Sequence, residues 1–176
     1  MTKLYVYDPI RAAAEKFKED MKDKVQGEII ICDTIDQAAR SSEIVITVTC
    51  AKDGFLKGEW LQKGSIYFAM GSYQECDEEA ILGADKIVVD HIGQCLHRGN
   101  LKILAEAGKI SEKNIFATVG ELALKQKDVG DLKDQRILAI PIGMGCLDVA
   151  VAGIAYKKAV SLGMGCTFAF DEGERE

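Results

Sequence analysis

The residues best placed to do chemistry stand at the end of the most apolar stretch of this sequence. Ile44-Val45-Ile46-Thr47-Val48-Thr49 is β-branched throughout and uncharged, and the run breaks soon afterwards at Asp53-Gly54. Such a run suits a strand buried on both faces of a parallel sheet. In an open α/β sheet the carboxyl end of a strand is where ligands bind, so the hydroxyls and free backbone amides of Thr47, Val48 and Thr49 are candidates to face one. A second candidate group lies near the amino terminus, where Asp8 follows the apolar run Leu4-Tyr5-Val6-Tyr7 and precedes Pro9. A carboxylate in that place can accept hydrogen bonds from the hydroxyls of an adenosine ribose, or cap the next helix, and one residue can do both. Arg11 could instead tolerate a 2′-phosphate, so the acid favours NAD while NADP stays open.

Other chemistries find less support. His91 and His97 are the only histidines, and Cys32, Cys50, Cys76, Cys95, Cys146 and Cys166 form no C-x-x-C pair, so no zinc-ligand spacing appears. Dispersed cysteines with no secretion signal ahead of them read as reduced, structural thiols of a cytoplasmic protein. Cys32, Cys50 and Cys146 lie in or beside apolar runs, where a thiol acts as a small hydrophobe. A formal charge of −6 and a pI near 5.1, with no basic cluster, argue against nucleic acid or an anionic membrane as partner. No apolar run approaches the ~20 residues that span a bilayer. A chain of 176 residues, 48% hydrophobic, can bury one core around a small ligand.

The elements that must position these residues alternate between strand and helix. Leu4–Tyr7 reads as a strand, Asp8 as the cap and Pro9 as the first residue of an amphipathic helix whose apolar positions are Ile10, Ala13, Ala14, Phe17 and Met21. Glu28–Cys32 is the next strand, followed by a helix-prone acidic segment. After the run at 44–49 come strands at 65–70, 86–90 and 136–142, with short helices at 77–82 and within 92–107. Residues 115–124 fit a strand end or a helix equally. Residues 125–135 are an exposed, charged loop, and His91, His97 and Arg98 are solvated side chains of another. Gly143-Met144-Gly145 turns into a helix over 146–162 that is apolar nearly all round and so needs cover on several sides. Cys166–Phe170 reads as a last strand, with an acidic tail behind it. This alternation predicts an α/β fold, a doubly wound and mostly parallel sheet of Rossmann type. One part of such a fold is missing: no G-x-G-x-x-G turn occurs, and the acid expected about 20 residues after it would be Asp8.

The ordered segments LYVYDPIRAAAEKF, EIVITVTCA, GSIYFAMGS, KIVVD with RGNL, VGEL and IPIGMGCLDVAVAGIAYKKA resemble the ornithine cyclodeaminase and μ-crystallin family over nearly the whole chain. The resemblance implies a Rossmann-type domain that lacks its first β-α unit, over residues 1–162. Residues 163–176 would return to an amino-terminal dimerisation and substrate lobe, and the full-length parent would be a homodimer. By the same resemblance Asp8 is the ribose-binding acid, Thr49 belongs to the T-V-T-x-A turn beside the cofactor, and Met70-Gly71 replaces the family's V-G. Cyclodeaminases place an acid/base Asp after that V-G with one residue between, and here the position is Tyr73. A phenol with an ordinary pKa near 10 can donate a proton but cannot act as that base at neutral pH. The resemblance implies the cofactor-binding part of an NAD(P)-dependent enzyme resembling ornithine cyclodeaminase, acting on an amino acid or cyclic imine. The substitution counts against ornithine cyclisation itself and makes an imine reductase or amino-acid dehydrogenase of the same family a credible alternative, with a catalytically silent crystallin-like protein as a further one. Gly143 matches the family's glycine turn, with Pro141 where a serine often stands, and Asp148 either caps the last helix or faces the nicotinamide pocket. The implied ligands are NAD or NADP and an amino acid or cyclic imine.

The absent first strand carries a structural expectation. In the usual strand order it lies between the strands at 4–7 and 44–49, which would otherwise expose two unpaired ladders. Either those two strands pair directly or another chain inserts or swaps a strand into the gap; direct pairing is favoured, because strands joined through helices can slide together without changing handedness.

Overall fold

The computed structural model describes residues 2–168, which fall into two compact units divided between Ile142 and Gly143. The first unit contains β1 (Lys3–Val6), α1 (Arg11–Met21), β2 (Glu28–Ile31), α2 (Ile35–Arg40), β3 (Ile44–Thr47), β4 (Ile66–Ala69), α3 (Glu78–Leu82) and β5 (Lys86–Val89). It continues through α4 (Ile92–His97), α5 (Lys102–Glu106), β6 (Ile115–Thr118), α6 (Val119–Ala123) and β7 (Ile137–Ile140). The ambiguous stretch at 115–124 is thus both strand and helix. Its change of direction is fixed at Thr118, whose hydroxyl accepts from the Glu121 N–H while Glu121 accepts from the Thr118 N–H.

All strand pairings among the described residues are parallel, as the alternation requires. Five strands form one sheet in the order β3-β4-β7-β5-β6. The last strand in sequence is therefore the middle one in space, with Ile66 opposite Ile137 on one side and Ile137 opposite Lys86 on the other. Its four residues, Ile137-Leu138-Ala139-Ile140, are all buried, which is why the run carries no polar alternation. Helices α2 to α5 cover one face of this sheet. There Val45, Tyr67, Ala69, Leu138, Ile140, Ile87 and Val89 share a core with Ala39, Ala80, Ile81, Leu101 and Leu104.

The run at 44–49 departs from its expected setting. β3 lies at the end of the five-stranded sheet and is buried on one face only: Val45 and Thr47 are covered, while Ile44 is 59% and Ile46 60% exposed. β1 and β2 form a separate two-stranded ladder, so β1 and β3 do not close up into direct pairing. Each is left with one unpaired edge.

The second unit consists of α7 (Gly145–Ser161) and the residues after it. None of the α7 side chains is buried, and Val149, Ile154 and Tyr156 are each at least 70% exposed. The final strand expected at 166–170 lies partly outside the described residues, and 166–168 have no regular structure.

Candidate functional site

The carboxyl ends of β3 and β4 converge on one side chain, Glu75, which is 0% exposed. Its Oε1 accepts from the Thr49 backbone N–H and the Thr49 hydroxyl, each at 2.7 Å. Its Oε2 accepts from the Thr47 hydroxyl and the Gly71 N–H, again at 2.7 Å. Four donors is the full complement of a carboxylate, and none of the ion pairs among the described residues involves Glu75. The polarity of the network follows. Thr47 gives its proton to Glu75 and so accepts from the Tyr67 hydroxyl at 2.9 Å. Burial of Tyr67 (1% exposed) pushes its phenol far above the ordinary value, keeping it a donor.

The backbone under Glu75 is held from behind by Asn100, 1% exposed, whose Oδ1 accepts from the N–H groups of Glu75 at 2.6 Å and Cys76 at 3.3 Å. The preceding Gly99 has φ +73°, a left-handed conformation that glycine adopts without strain, and a Cβ there would press on Ile142. Gly71 is a glycine for a different reason: an added Cβ would lie 2.5 Å from the Glu75 carboxyl carbon. Next to Glu75, Cys76 is wholly buried and its thiol is pushed up to about 12 by desolvation. Asp77 begins α3, its carboxylate accepting from the Ala80 N–H.

Three of the predicted cofactor residues, Thr47, Thr49 and Gly71, are thus brought together, but by turning polar atoms inward onto Glu75. The outward groups of the same turns are Val48, 77% exposed, and Met70, 41% exposed. Tyr73, also exposed, stands in the loop that Glu75 closes. Glu75 was not among the residues singled out from sequence. The neighbouring Asp77-Glu78-Glu79 already account for an acidic cluster as a helix start, and the useful signal was an acid four residues after a strand-terminal glycine.

Asp8 and Arg11 lie together elsewhere in the first unit, in an open depression of about 370 Å³ lined also by Tyr7, Pro9, Cys32 and Asp33. Asp8 is not the helix cap. The cap position is Ile10, because the chain makes one more turn before α1, and Asp8 Oδ1 accepts from the Ile10 N–H at 2.8 Å within that turn. Pro9 is accordingly outside the helix. Arg11 donates to Asp33 at 2.7 Å and to Glu15 at 3.3 Å. A comparable depression of about 360 Å³ lies at the opposite, amino end of β3 and β4 and contains none of the candidate residues.

In the second unit, Gly143 has φ +93°, which accounts for glycine at that turn. Asp148 lies in the first turn of α7, where the helix dipole favours a carboxylate, but the cap position is Met144 and no side chain caps it. His91 caps α4 through Nδ1, accepting from the Gln94 N–H, and Arg98 donates to the Ile142 carbonyl at 2.7 Å. These two are more engaged than solvated side chains. Among the described residues no group of acids, histidines and cysteines is arranged to hold a metal, and no helix is long and apolar enough to cross a membrane.

Comparison with known proteins agrees with this architecture. Alanine dehydrogenase of Archaeoglobus fulgidus is 30% identical over 168 residues, covering 93% of this chain and 51% of that protein. The structure of Thermococcus litoralis Δ1-pyrroline-2-carboxylate reductase, in complex with NADH and L-proline, superposes with TM-score 0.88 at 28% identity, over 95% of this chain and 53% of that one. A dimeric archaeal alanine dehydrogenase with bound NAD gives TM-score 0.87 at 30% identity, over 97% and 53%. The chain therefore spans about half the length of these relatives. The sheet is that of their Rossmann-like domains, and the model of the ornithine cyclodeaminase/mu-crystallin family matches residues 1–163: the chain belongs to that family.

Proposed function

We propose that this chain is the cofactor-binding part of an NAD-dependent enzyme that oxidises an amino acid or reduces a cyclic imine. The observation that carries the reading is the arrangement around Asp8. Its exposed carboxylate closes a strand-to-helix turn in an open depression, in the place where a Rossmann-type fold receives a ribose. The residues present fit NAD better than NADP, because Arg11 is already drawn onto Asp33 and Glu15. A 2′-phosphate would meet Asp8 and Asp33 before it met a free guanidinium. Thr47-Val48-Thr49 and Met70-Gly71 would form the other wall, with Val48 and Met70 presenting the contact surface. In the second unit, Gly143 and Asp148 are candidates on the family resemblance alone.

Bound nicotinamide would supply the hydride chemistry, and the residues named here would orient it. Tyr73, exposed where cyclodeaminases carry an acid, can hold and donate a proton but is no carboxylate base, which favours reduction or dehydrogenation over loss of ammonia from ornithine. The relatives that are alanine dehydrogenases and pyrroline-carboxylate reductases support this choice, and the dimeric relative supports a homodimeric whole protein. No residue of this chain forms the glycine cradle for a pyrophosphate, so binding by these residues alone is weak. Calorimetric titration tests both points. NAD binds with a dissociation constant above the micromolar range and NADP more weakly still; Asp33→Ala, which removes the shorter of the two Arg11 ion pairs and one negative charge, narrows the difference. Tighter binding of NADP than of NAD overturns the assignment.

A further inference from the structure

We propose that Glu75 is the positioning residue of this site: a fixed, buried anion that joins the turn after β3 to the turn after β4 and sets both by one carboxylate. The ligand named for the site rests on the reading above, whereas the coupling of the two turns does not.

The argument begins with the cost of the arrangement. A carboxylate wholly removed from water and without a cationic partner is expensive unless its oxygens are fully hydrogen-bonded. Here each oxygen accepts from one backbone amide and one hydroxyl, and the two amides belong to different loops: Thr49 after β3 and Gly71 after β4. A residue serving only to fill space would be apolar, and a residue serving one loop would not need both oxygens. The surrounding groups are shaped to this one. Gly71 leaves room that any Cβ would fill, and Asn100 fixes the Glu75 backbone. The Tyr67 hydroxyl orients the Thr47 hydroxyl so that its proton points at the carboxylate.

Two consequences follow. Moving the carboxylate by loss of a donor on one loop must disturb the amide of the other. Moreover, an anion fixed under the strand ends favours a cationic ring over a neutral one in the crevice above, and the oxidised nicotinamide ring is cationic while the reduced ring is not. Glutamine at position 75 keeps the shape but places an NH2 group against two of the four donors and removes the charge.

The test uses the whole 176-residue chain, labelled for amide spectroscopy, as Glu75→Gln and Thr49→Val. In Glu75→Gln the amide protons of Thr49 and Gly71 exchange about fivefold faster, the effect of one lost hydrogen bond of ~1 kcal/mol, while those of β7 are unchanged. In Thr49→Val, which alters an exposed residue and leaves the fold intact, the Gly71 amide resonance moves. Unchanged exchange in the first variant, or an unmoved Gly71 resonance in the second, overturns the proposal. Should Glu75→Gln fail to fold, Thr49→Val decides alone. A separate titration with NAD+ and NADH shows the ratio of their affinities falling about threefold or more in Glu75→Gln, as expected for loss of a nearby unit charge. Equal weakening of both forms would overturn the electrostatic part. Failure of the unaltered chain to bind either nucleotide would count against the proposed function, and the amide readout would still decide the role of Glu75.

Discussion

Two carboxylates at strand ends, Glu75 and Asp8, accept backbone N–H groups in this molecule, and their surroundings could hardly differ more. Glu75 is sealed beneath the ends of β3 and β4 with four donors, whereas Asp8 accepts one N–H at the mouth of an open depression. The difference separates a carboxylate whose acceptor capacity is spent from one whose capacity is free. A sealed carboxylate has no capacity left for a ligand and can only place other groups, while an exposed one retains its capacity to bind. The same chemical group is thus used up as structure in one region and left with free acceptor capacity in the other, and burial decides which.

The sharpest way to break the comparison is to weaken the sealed region. Asn100→Ala leaves the buried N–H groups of Glu75 and Cys76 without their acceptor, at ~1–3 kcal/mol per unsatisfied group. Since a domain of this kind holds ~5–15 kcal/mol in all, chemical denaturation should show a loss of about 2 kcal/mol or more. A loss below about 0.5 kcal/mol would mean that the two turns are held by something else.

A middle-sized effect compares the regions through their thiols. Cys76 and Cys95, both wholly buried, have thiols pushed up to about 12, chiefly by desolvation. Cys32 is also buried, and its thiol is raised by desolvation and by the neighbouring Asp33, but it stands at the end of the two-stranded ladder. Because the thiolate is the reactive form, all three label slowly at neutral pH, and labelling reports opening of the structure. Cys32 should label about tenfold faster than Cys76 under native conditions, after the exposed Cys50, Cys146 and Cys166 have reacted. Mass spectrometry of alkylated peptides checks the order. The smallest effect belongs to Arg11→Ala. The Arg11–Asp33 and Arg11–Glu15 pairs are exposed, so stability should change by no more than ~0.5 kcal/mol, readable as an unchanged denaturation midpoint.

Much of this molecule was legible in the residues. Apolar runs marked six of the seven described strands, β6 lying in a stretch that fitted strand or helix equally, and strand-helix alternation gave a parallel sheet, because both signals are local. The family resemblance, read from six ordered segments, holds over residues 1–163. What escaped depends on distant partners. Ile44-Val45-Ile46 reads as doubly buried because nothing in a run of β-branched residues says whether a second layer is present, and β3 is in fact covered on one face. The placement of Asp8 two residues ahead of the cap turns on the path of Pro9-Ile10, which propensity resolves poorly. Among the thiols, Cys50 and Cys146 are exposed despite apolar neighbours, while Cys76 and Cys95, in polar contexts, are the wholly buried ones. Glu75 escaped for the same reason: its donors come from residues 47, 49 and 71, and only the folded sheet assembles them.

The central position of β7 has a consequence for how the chain acquires its structure. β3 and β4 form one pair and β5 and β6 another, and within the sheet the two pairs are hydrogen-bonded together only through Ile137–Ile140. During synthesis, the two halves emerge with the flanks of β4 and β5 bare, and remain so until the final strand leaves the ribosome and slots between them. Contacts such as Ile66 with Ile137 are long in sequence, which slows closure of the sheet and prolongs exposure of those flanks. Folding of this unit is therefore expected to be late and all at once, with the chance of misassembly concentrated in the interval before residue 140 is available.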